Sequence, residues 1–467
     1  MEMGEGRKVE IVVVPFPDGQ GHINPIFQFS KSLALKGVNV TVLHVLNTDE
    51  ISDNKKQKEV GVGESMKIKV EYRARVAYKG EDPESEAMES YMQRVKTSIC
   101  FHLGNLIRQH ERSNTPIECV VYDSLIPWVL DVATGFALPG APFFTESCAV
   151  NAIFYHINRG WLKMSNVMPD QTPISLPALP LLQISDLPSL IQSPHQYPVF
   201  LSSMIHQFSN HPRWMFINTF HALEPQVLEW MQRYIPLKTV GPTVPSILLD
   251  KGLKNDQNYG MDLIKSTEEE KIINWLDSKD KNSVVYVSFG SVSKLEEEQM
   301  KELAWGLKAA NVTFLWVIKE PEAQNKLPKT FIEETKEMGM VVKWCSQVQV
   351  LAHKSVGCFI THCGWNSVLE ALTCGVPMVA MPQWTDQMTN AKFVEDVWKV
   401  GVRVNPKESE IIVGREEIEL CIRKVMEGQT SLEIRLNATK WMEAAAEDQI
   451  SDDNINDFVA QLTNRII

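Results

Sequence analysis

This 467-residue chain has no run approaching the roughly 18 uninterrupted apolar residues that a membrane helix requires. The early apolar stretch from Ile11 to Val14 is also too short for a signal-peptide core. A cytoplasmic protein with no membrane span is expected. Cysteine is sparse: there are eight, none in a C-x-x-C pair, and Cys119 and Cys358 sit inside apolar, strand-like runs. That usage points to reduced thiols and argues against both a disulfide framework and structural zinc. Positive charge is short as well. Against 58 Asp and Glu there are 46 Lys and Arg, a formal net charge of −12, and no concentrated basic run interleaved with aromatics. Nucleic acid is thereby disfavoured as a partner, and a small molecule is expected instead, with the chain working as a monomer. Internal repeats and low-complexity tracts are missing too.

What the chain does have is length and alternation. A single hydrophobic core usually stops growing at roughly 250 to 300 residues, so two domains are expected. In the first half, β-branched runs at 9 to 14, 38 to 45, 118 to 122 and 214 to 220 alternate with helix-period stretches. The second half repeats the pattern with runs at 283 to 290, 313 to 319, 339 to 344, 357 to 361 and 376 to 381. Such alternation implies parallel strands joined by helical crossovers, hence an α/β fold with two Rossmann-like, doubly wound domains. Between them, residues 242 to 262 carry Pro, Gly and Asn punctuation with little periodicity and read as a linker. The expected units are therefore 1 to 241, the linker 242 to 262, a second domain 263 to 450, and a final helix within 451 to 467, where Ile455, Phe458, Val459 and Leu462 fall at helical spacing. Ligands of such sheets bind beyond the carboxyl ends of the strands, which places the chemistry in a cleft between the domains.

The segment from Trp344 to Gln387, WCSQVQVLAHKSVGCFITHCGWNSVLEALTCGVPMVAMPQWTDQ, is the densest in chemistry. A buried strand from Gly357 to Thr361 leads to a turn at Gly364, and Asn366 and Ser367 open a helix. The first backbone N–H groups of a helix lack internal partners and carry the positive end of its dipole, so an anion is favoured there, with His362 and the Ser367 hydroxyl as added donors. Ser367 and Glu370 also fit a capping box, which needs no ligand, while Trp344 and His353 fit a half-buried aromatic and a helix-end cation. These 44 positions resemble the signature box of the plant family-1 UDP-dependent glycosyltransferases. The resemblance implies the GT-B architecture, with two such domains facing a cleft. It also implies that Trp344 stacks on uracil, the Cys345 backbone meets the base edge, and Gln347 and Glu370 hold the ribose. His362, Asn366 and Ser367 would grip the diphosphate, while the backbone at Gly364 and Trp365, then Asp386 and Gln387, would face a sugar, with terminal glutamine commonly accompanying glucose. It further implies that the C-terminal tail crosses back onto the first domain.

A second constellation follows strand 9 to 14 in PFPDGQGHINP, where Gly19 and Gly21 permit a tight turn and Pro25 near the start of the next helix leaves His22 displayed on a loop at the strand end. A histidine there is suited to take a proton from an acceptor hydroxyl, or simply to bond locally at a helix start. Asp123, at the end of the run VVYD, either orients that imidazole or caps the following helix. In the resembled family the matching pair forms a catalytic dyad, although many relatives have P-x-P-x-Q-G-H, one residue shorter than the loop here. Ser291 in SFGSV matches a hydroxyl near the phosphates, and Thr145 in PFFTES matches a sugar contact; both residue types are also ordinary turn formers. For the acceptor, Met88, Phe144, Glu146, Met204 and Trp384 are the candidates, the apolar ones being equally natural as core. An ionised, inward-pointing Glu146 would repel a carboxylate acceptor.

Taken with the resemblance, the residues point to an inverting UDP-glucose-dependent O-glucosyltransferase for a steroid, triterpenoid or phenolic hydroxyl. It would use UDP-glucose as co-substrate, with no cofactor and no metal, since no D-x-D cluster stands near the phosphate region. Transfer to small carboxylic acids and a non-catalytic UDP-sugar sensor are the alternatives. A nicotinamide enzyme is disfavoured because Gly19-x-Gly21-x-x-Asn24 lacks the third glycine and strand 38 to 45 does not end in an acid.

Overall fold

A computed structural model of the chain describes residues 8–47, 56–63, 66–78, 86–113, 115–163, 173–210, 212–249, 259, 268–319, 326–406 and 412–464. Its strands form two sheets. The first contains β1 (Glu10–Val14), β2 (Asn39–Leu46), β3 (Gln57–Val62), β4 (Met66–Ala74), β5 (Cys119–Asp123), β6 (Gly140–Phe144), β7 (Met215–Ile217) and β8 (Leu237–Thr239), in the order β3-β4-β2-β1-β5-β6-β7-β8. The second contains β9 (Val284–Ser288), β10 (Thr313–Val317), β11 (Gly339–Val342), β12 (Val356–Thr361), β13 (Met378–Ala380) and β14 (Gly401–Arg403), in the order β11-β10-β9-β12-β13-β14. Every pairing is parallel except that of β3 with β4. The all-parallel expectation for the first domain thus fails at one edge. There the polar run Gln57–Val62 is largely exposed, as an edge strand with one solvated side should be.

The continuous apolar runs of the central strands follow from burial on both faces. Along β1, Val12 and Val14 join Val95, Ile99 and Leu103 of helix α2 (Met88–Arg112), whereas Ile11 and Val13 join Ile26, Phe27 and Phe29 of helix α1 (Gln20–Leu35). β9 divides the same way, with Val284 and Tyr286 in one apolar layer and Val285 and Val287 in the other. The last helix, Ile450–Thr463, lies against the first sheet although it follows the second in sequence. Phe458 meets Trp214 and Phe216 edge-on with ring centroids 5.0 and 4.8 Å apart, and Asn454 donates to the Thr239 carbonyl at 3.0 Å. Of the expected linker, residues 242–249, with a 3-10 helix over Ser246–Leu249, and Tyr259 are described, and the rest lies outside the described residues.

Other bonds join the two halves across the cleft. Trp365 Nε1 donates to the Asn218 carbonyl at 2.6 Å, Trp398 Nε1 to the Leu223 carbonyl at 3.1 Å, and Arg403 pairs with the buried Asp186 at 2.6 Å. In each sheet the first strand has its successor on one side and a later strand on the other, β2 and β5 around β1, β10 and β12 around β9. The crevices beyond β1 and β9 face the same cleft.

Candidate active site

Between the domains lies a cavity of about 520 Å³, lined from both sides by segments that follow strand ends. From the first domain come Gln20, Gly21, His22 and Asn24 after β1, and Thr145 and Glu146 after β6. The second supplies Ser288, Gly290 and Ser291 after β9, Trp344 to Gln349 after β11, and His362 with Gly364 to Ser367 after β12. Tyr259, Glu269, Tyr286, Val317, Glu370 and Asp386 also line that side. Of the residues expected at a UDP-sugar site, only Gln387 is absent from this lining. Its Oε1 instead accepts the backbone N–H groups of Gln383 and Trp384 at 2.8 and 3.0 Å, so the carbonyl end of that amide is spent on shaping the turn that presents Asp386.

His22 does not sit on a loop. Gly19, at φ 92°, lets the chain turn directly into α1, so His22 belongs to its first turn and Pro25 lies inside the helix rather than at its start. The extra residue of this loop, Asp18, is held by Arg75 at 2.6 Å and by the Tyr91 hydroxyl. Phe16 packs edge-on against the His22 ring at 5.3 Å. The Nδ1 atom of His22 lies 2.9 Å from Oδ2 of Asp123, which is fully buried, while Oδ1 of the same carboxylate accepts the Leu125 N–H at 2.9 Å. Asp123 therefore orients the ring and holds the following turn at once. Thr145 Oγ1 stands 3.2 Å from the same Nδ1, so its nearest reactive neighbour is the histidine.

The His22 side chain is 25% exposed, and burial disfavours its charge, but the Asp123 charge and hydrogen bond, helped by Glu146 and Asp386, outweigh burial and raise its pKa to about 9. The ring of the ligand-free protein is charged at neutral pH and must lose that proton before it can act as a base. Beside it, burial together with Asp123 and Asp386 pushes Glu146 up to about 7 against the opposing pull of His22.

On the opposite wall, β12 ends at Thr361 and the chain passes through Cys363 at φ 63° into the helix Trp365–Thr373. The first intrahelical bond runs from the Val368 N–H to the Gly364 carbonyl at 3.1 Å, so the backbone N–H groups of Trp365, Asn366 and Ser367 precede the hydrogen-bonded ladder. Ser367 lies within the helix, which removes the capping-box reading: its hydroxyl accepts from Gln347 Nε2 at 2.9 Å, and no side chain caps this helix. The His362 imidazole is wedged against two glycines. A Cβ would come within 2.6 Å of its Nε2 at Gly364 and within 2.7 Å at Gly290. Its Nδ1 is buried without a partner, and burial lowers its pKa to about 4, so it would meet a phosphate as a neutral donor. Asn366 Nδ2 donates to the Gly21 carbonyl at 2.7 Å, so this group of the expected diphosphate ligand is committed across the cleft to α1. Gly21 can accept that bond because Pro25, four residues on, has no N–H to offer it.

Glu370 is buried, which raises its pKa, and its two oxygens accept from Tyr259 Oη at 2.7 Å and Gln347 Nε2 at 2.8 Å. Tyr259 was invisible to sequence reasoning because it stands in the aperiodic linker. Trp344 is half-buried and lines the cavity, as a base-stacking ring requires.

The acceptor candidates fare differently. Phe144 is fully buried and stacks on Phe208 at 5.5 Å, and Met204 is 5% exposed in the same core. Strand alternation turns Phe144 inward while Thr145 and Glu146, past the strand end, reach the cleft. Met88 packs against that core as well. Trp384 lies against Tyr197, with centroids 5.9 Å apart. Phe16, Tyr91 and Phe200 form an aromatic group next to His22 that spacing did not reveal.

Residues 230–433 match the family model for UDP-glucoronosyl and UDP-glucosyl transferases. The chain is 45% identical to Mogroside I-E synthase of Siraitia grosvenorii over 99% of each chain, and 46% identical to UDP-glycosyltransferase 74E2 of Arabidopsis thaliana over 98% of this chain and 99% of that one. Its fold matches the crystal structure of Os79 from O. sativa in complex with UDP, with a TM-score of 0.84 and 33% identity over 97% of this chain and 100% of the other. Two Rossmann-like domains, a cleft between strand ends and this kinship lead to one conclusion: the chain belongs to the plant family-1 UDP-glycosyltransferases, enzymes of the GT-B fold that use a UDP-sugar donor.

Proposed function

We propose that the protein transfers glucose from UDP-glucose to a hydroxyl group of a lipophilic small molecule of the steroid, triterpenoid or phenolic kind, with inversion at the anomeric carbon. The observation that carries this reading is the His22–Asp123 pair, 2.9 Å apart, opening onto the same cavity as the N-terminus of the Trp365–Thr373 helix. His22 Nδ1 is committed to Asp123, which leaves Nε2 to receive the acceptor proton. The acceptor oxygen forms its bond to the anomeric carbon as the bond from that carbon to the UDP oxygen breaks. The electron pair departs with UDP, where the helix N–H groups, Ser367 and neutral His362 meet the growing charge.

Trp344 would stack on uracil beside the Cys345 backbone, and Glu370, steadied by Tyr259 and Gln347, would accept hydrogen bonds from the ribose hydroxyls. Thr145, Ser291 and Asp386 would contact the sugar and phosphates from the cavity wall. All of these groups come from one chain, in keeping with a monomer. Eight free thiols, most of them buried, fit a reducing cytoplasm, and no described helix is long and apolar enough to cross a membrane.

The test is incubation with UDP-glucose, without added metal, against steroids, terpenoids, flavonoids and aromatic acids, read by mass spectrometry. A gain of one hexose on a hydroxyl acceptor is expected, abolished in His22→Ala while UDP binding persists. Full turnover by His22→Ala would reject the base assignment, and donor binding with no product from any acceptor would favour a sensor.

A further inference from the structure

Among the described residues lining the cleft, Glu146, Glu269, Glu370 and Asp386 are acidic and none is lysine or arginine. The cationic His22 has its charge matched by Asp123 at 2.9 Å. Two of the four acids are satisfied by donors. Glu370 accepts from Tyr259 and Gln347, while Asp386 Oδ1 accepts the Thr385 hydroxyl at 2.8 Å and Oδ2 the Asn390 amide at 2.7 Å. Glu146 differs. Its Oε1 accepts the Thr145 hydroxyl at 3.3 Å, the same hydroxyl that stands 3.2 Å from His22, but its Oε2 is buried with no partner. A buried carboxylate oxygen without a donor is costly to leave so, and this one lies on the wall of the cavity beside the base.

We propose that Glu146 sets the acceptor class: Oε2 takes a hydrogen bond from a donor group on the acceptor, a hydroxyl or an amine N–H, and repels an acceptor whose reacting group is an ionised carboxylate. This deepens the hydroxyl-transfer reading and rests on it. An incoming carboxylate would stand near Glu146 and the diphosphate of the donor with no lysine or arginine on the wall to offset it. A hydroxyl brings the proton that ionised Oε2 lacks, so above about pH 7, where Glu146 carries its charge, the same side chain favours one class and opposes the other. The enzyme therefore makes O-glycosides and not glucose esters, even on a molecule that offers both groups.

Hydroxy acids test this within one molecule. Wild-type enzyme is incubated at about pH 8, where Glu146 is ionised, with UDP-glucose and 4-hydroxybenzoate, and separately with oleanolic acid. The hexose adducts are then divided by mild alkali, which cleaves the ester and spares the glycoside. Wild type should give alkali-stable product in at least tenfold excess, and Glu146→Gln, which keeps shape and removes charge, should raise the ester-to-glycoside ratio tenfold or more. Glu146→Asp, which keeps the charge, should remain nearer wild type, and UDP binding by each variant establishes that it is folded. Mostly alkali-labile product from wild type, or an unchanged ratio in folded Glu146→Gln, overturns the role of Glu146. Should Glu146→Gln fail to bind UDP, the wild-type ratio and Glu146→Asp decide. Transfer to neither hydroxy acid nor to 4-hydroxybenzyl alcohol and erythrodiol, their carboxylate-free counterparts, would instead overturn the hydroxyl-transfer reading beneath it.

Discussion

Replacing Asp123 by asparagine should cripple turnover by two routes that the geometry separates. The first is loss of charge. His22 is held at about 9 against an ordinary 6.5, by Asp123 foremost with help from Glu146 and Asp386 against burial, and a net shift of that size corresponds to on the order of 3 kcal/mol, or ~10²-fold in rate if the imidazolium of the transition state loses it. The second is the tautomer. The Leu125 N–H needs an acceptor and already bonds Oδ1 at 2.9 Å, so the asparagine oxygen will face Leu125 and its NH2 will face His22. Nδ1 must then accept, the proton moves to Nε2, and the atom meant to receive the acceptor proton is occupied. An equivalent change in a serine-protease triad costs about 10⁴ in turnover, so a loss of about 10² to 10⁴-fold is expected.

The assay is kcat/KM from pH 5.5 to 10 with a hydroxyl acceptor, alongside UDP affinity by calorimetry. In wild type the rate should climb toward pH 9, because the raised pKa keeps His22 charged and unable to accept a proton below it. In Asp123→Asn that rise should vanish while UDP affinity holds. A variant retaining more than a tenth of wild-type turnover, or still titrating near 9, would refute both routes. A stability corollary carries the same sign: the His22–Asp123 pair contributes fully below about pH 6.5 and loses its contribution as pH rises through about 9, so the Tm deficit of His22→Gln should shrink over that interval.

Gly364→Ala should weaken UDP binding about tenfold or more, measured by calorimetry, because the new Cβ would stand 2.6 Å from His362 Nε2 although φ −57° at this position suits alanine. Unchanged affinity would mean that His362 does not serve the diphosphate. Tyr259→Phe removes a 2.7 Å hydrogen bond to buried Glu370 and should cost about 1–3 kcal/mol in UDP affinity, with little effect on kcat at saturating donor. Phe458→Ala should lower unfolding stability by about 3–5 kcal/mol in chemical denaturation, since the ring is 1% exposed against the first sheet. Chelation by EDTA should leave the initial rate unchanged; a loss restored by a divalent cation would show that the protein donors do not meet the leaving-group charge alone.

The strands buried on both faces were legible because double burial writes itself as unbroken apolar runs, as in VEIVVV and SVVYVSFG. Elements governed by pairing rather than by burial were not. β3 is polar, and β8 (LKT) and β14 (GVR) each carry a cationic residue, unlike the equally short but wholly apolar β7 and β13. In the site, the turn at Gly364, Trp344 on the cavity wall and the His22–Asp123 contact lie where the sequence pointed, although each residue type allowed a second reading. The helical setting of His22 was not legible, since Gly19 starts α1 well before the proline that normally marks a helix's first turn. Phe144 and Thr145 show the resolution of such reading: one step along the chain separates a core ring from a cleft hydroxyl, and only the end of β6 decides which is which.

The gap that Pro25 leaves in the α1 ladder has a consequence for hybrid enzymes. Because the vacant Gly21 carbonyl is filled by Asn366, α1 and the Trp365–Thr373 helix share one hydrogen bond made by a main-chain atom and a single amide. An N-terminal half taken from this protein therefore carries its docking coordinate in its backbone. It asks of a foreign C-terminal half an asparagine at the second position of the corresponding helix beside the matches of Trp365, Trp398 and Arg403, so chimeras that preserve these groups should seat their halves in productive register whatever acceptor pocket they are built to carry.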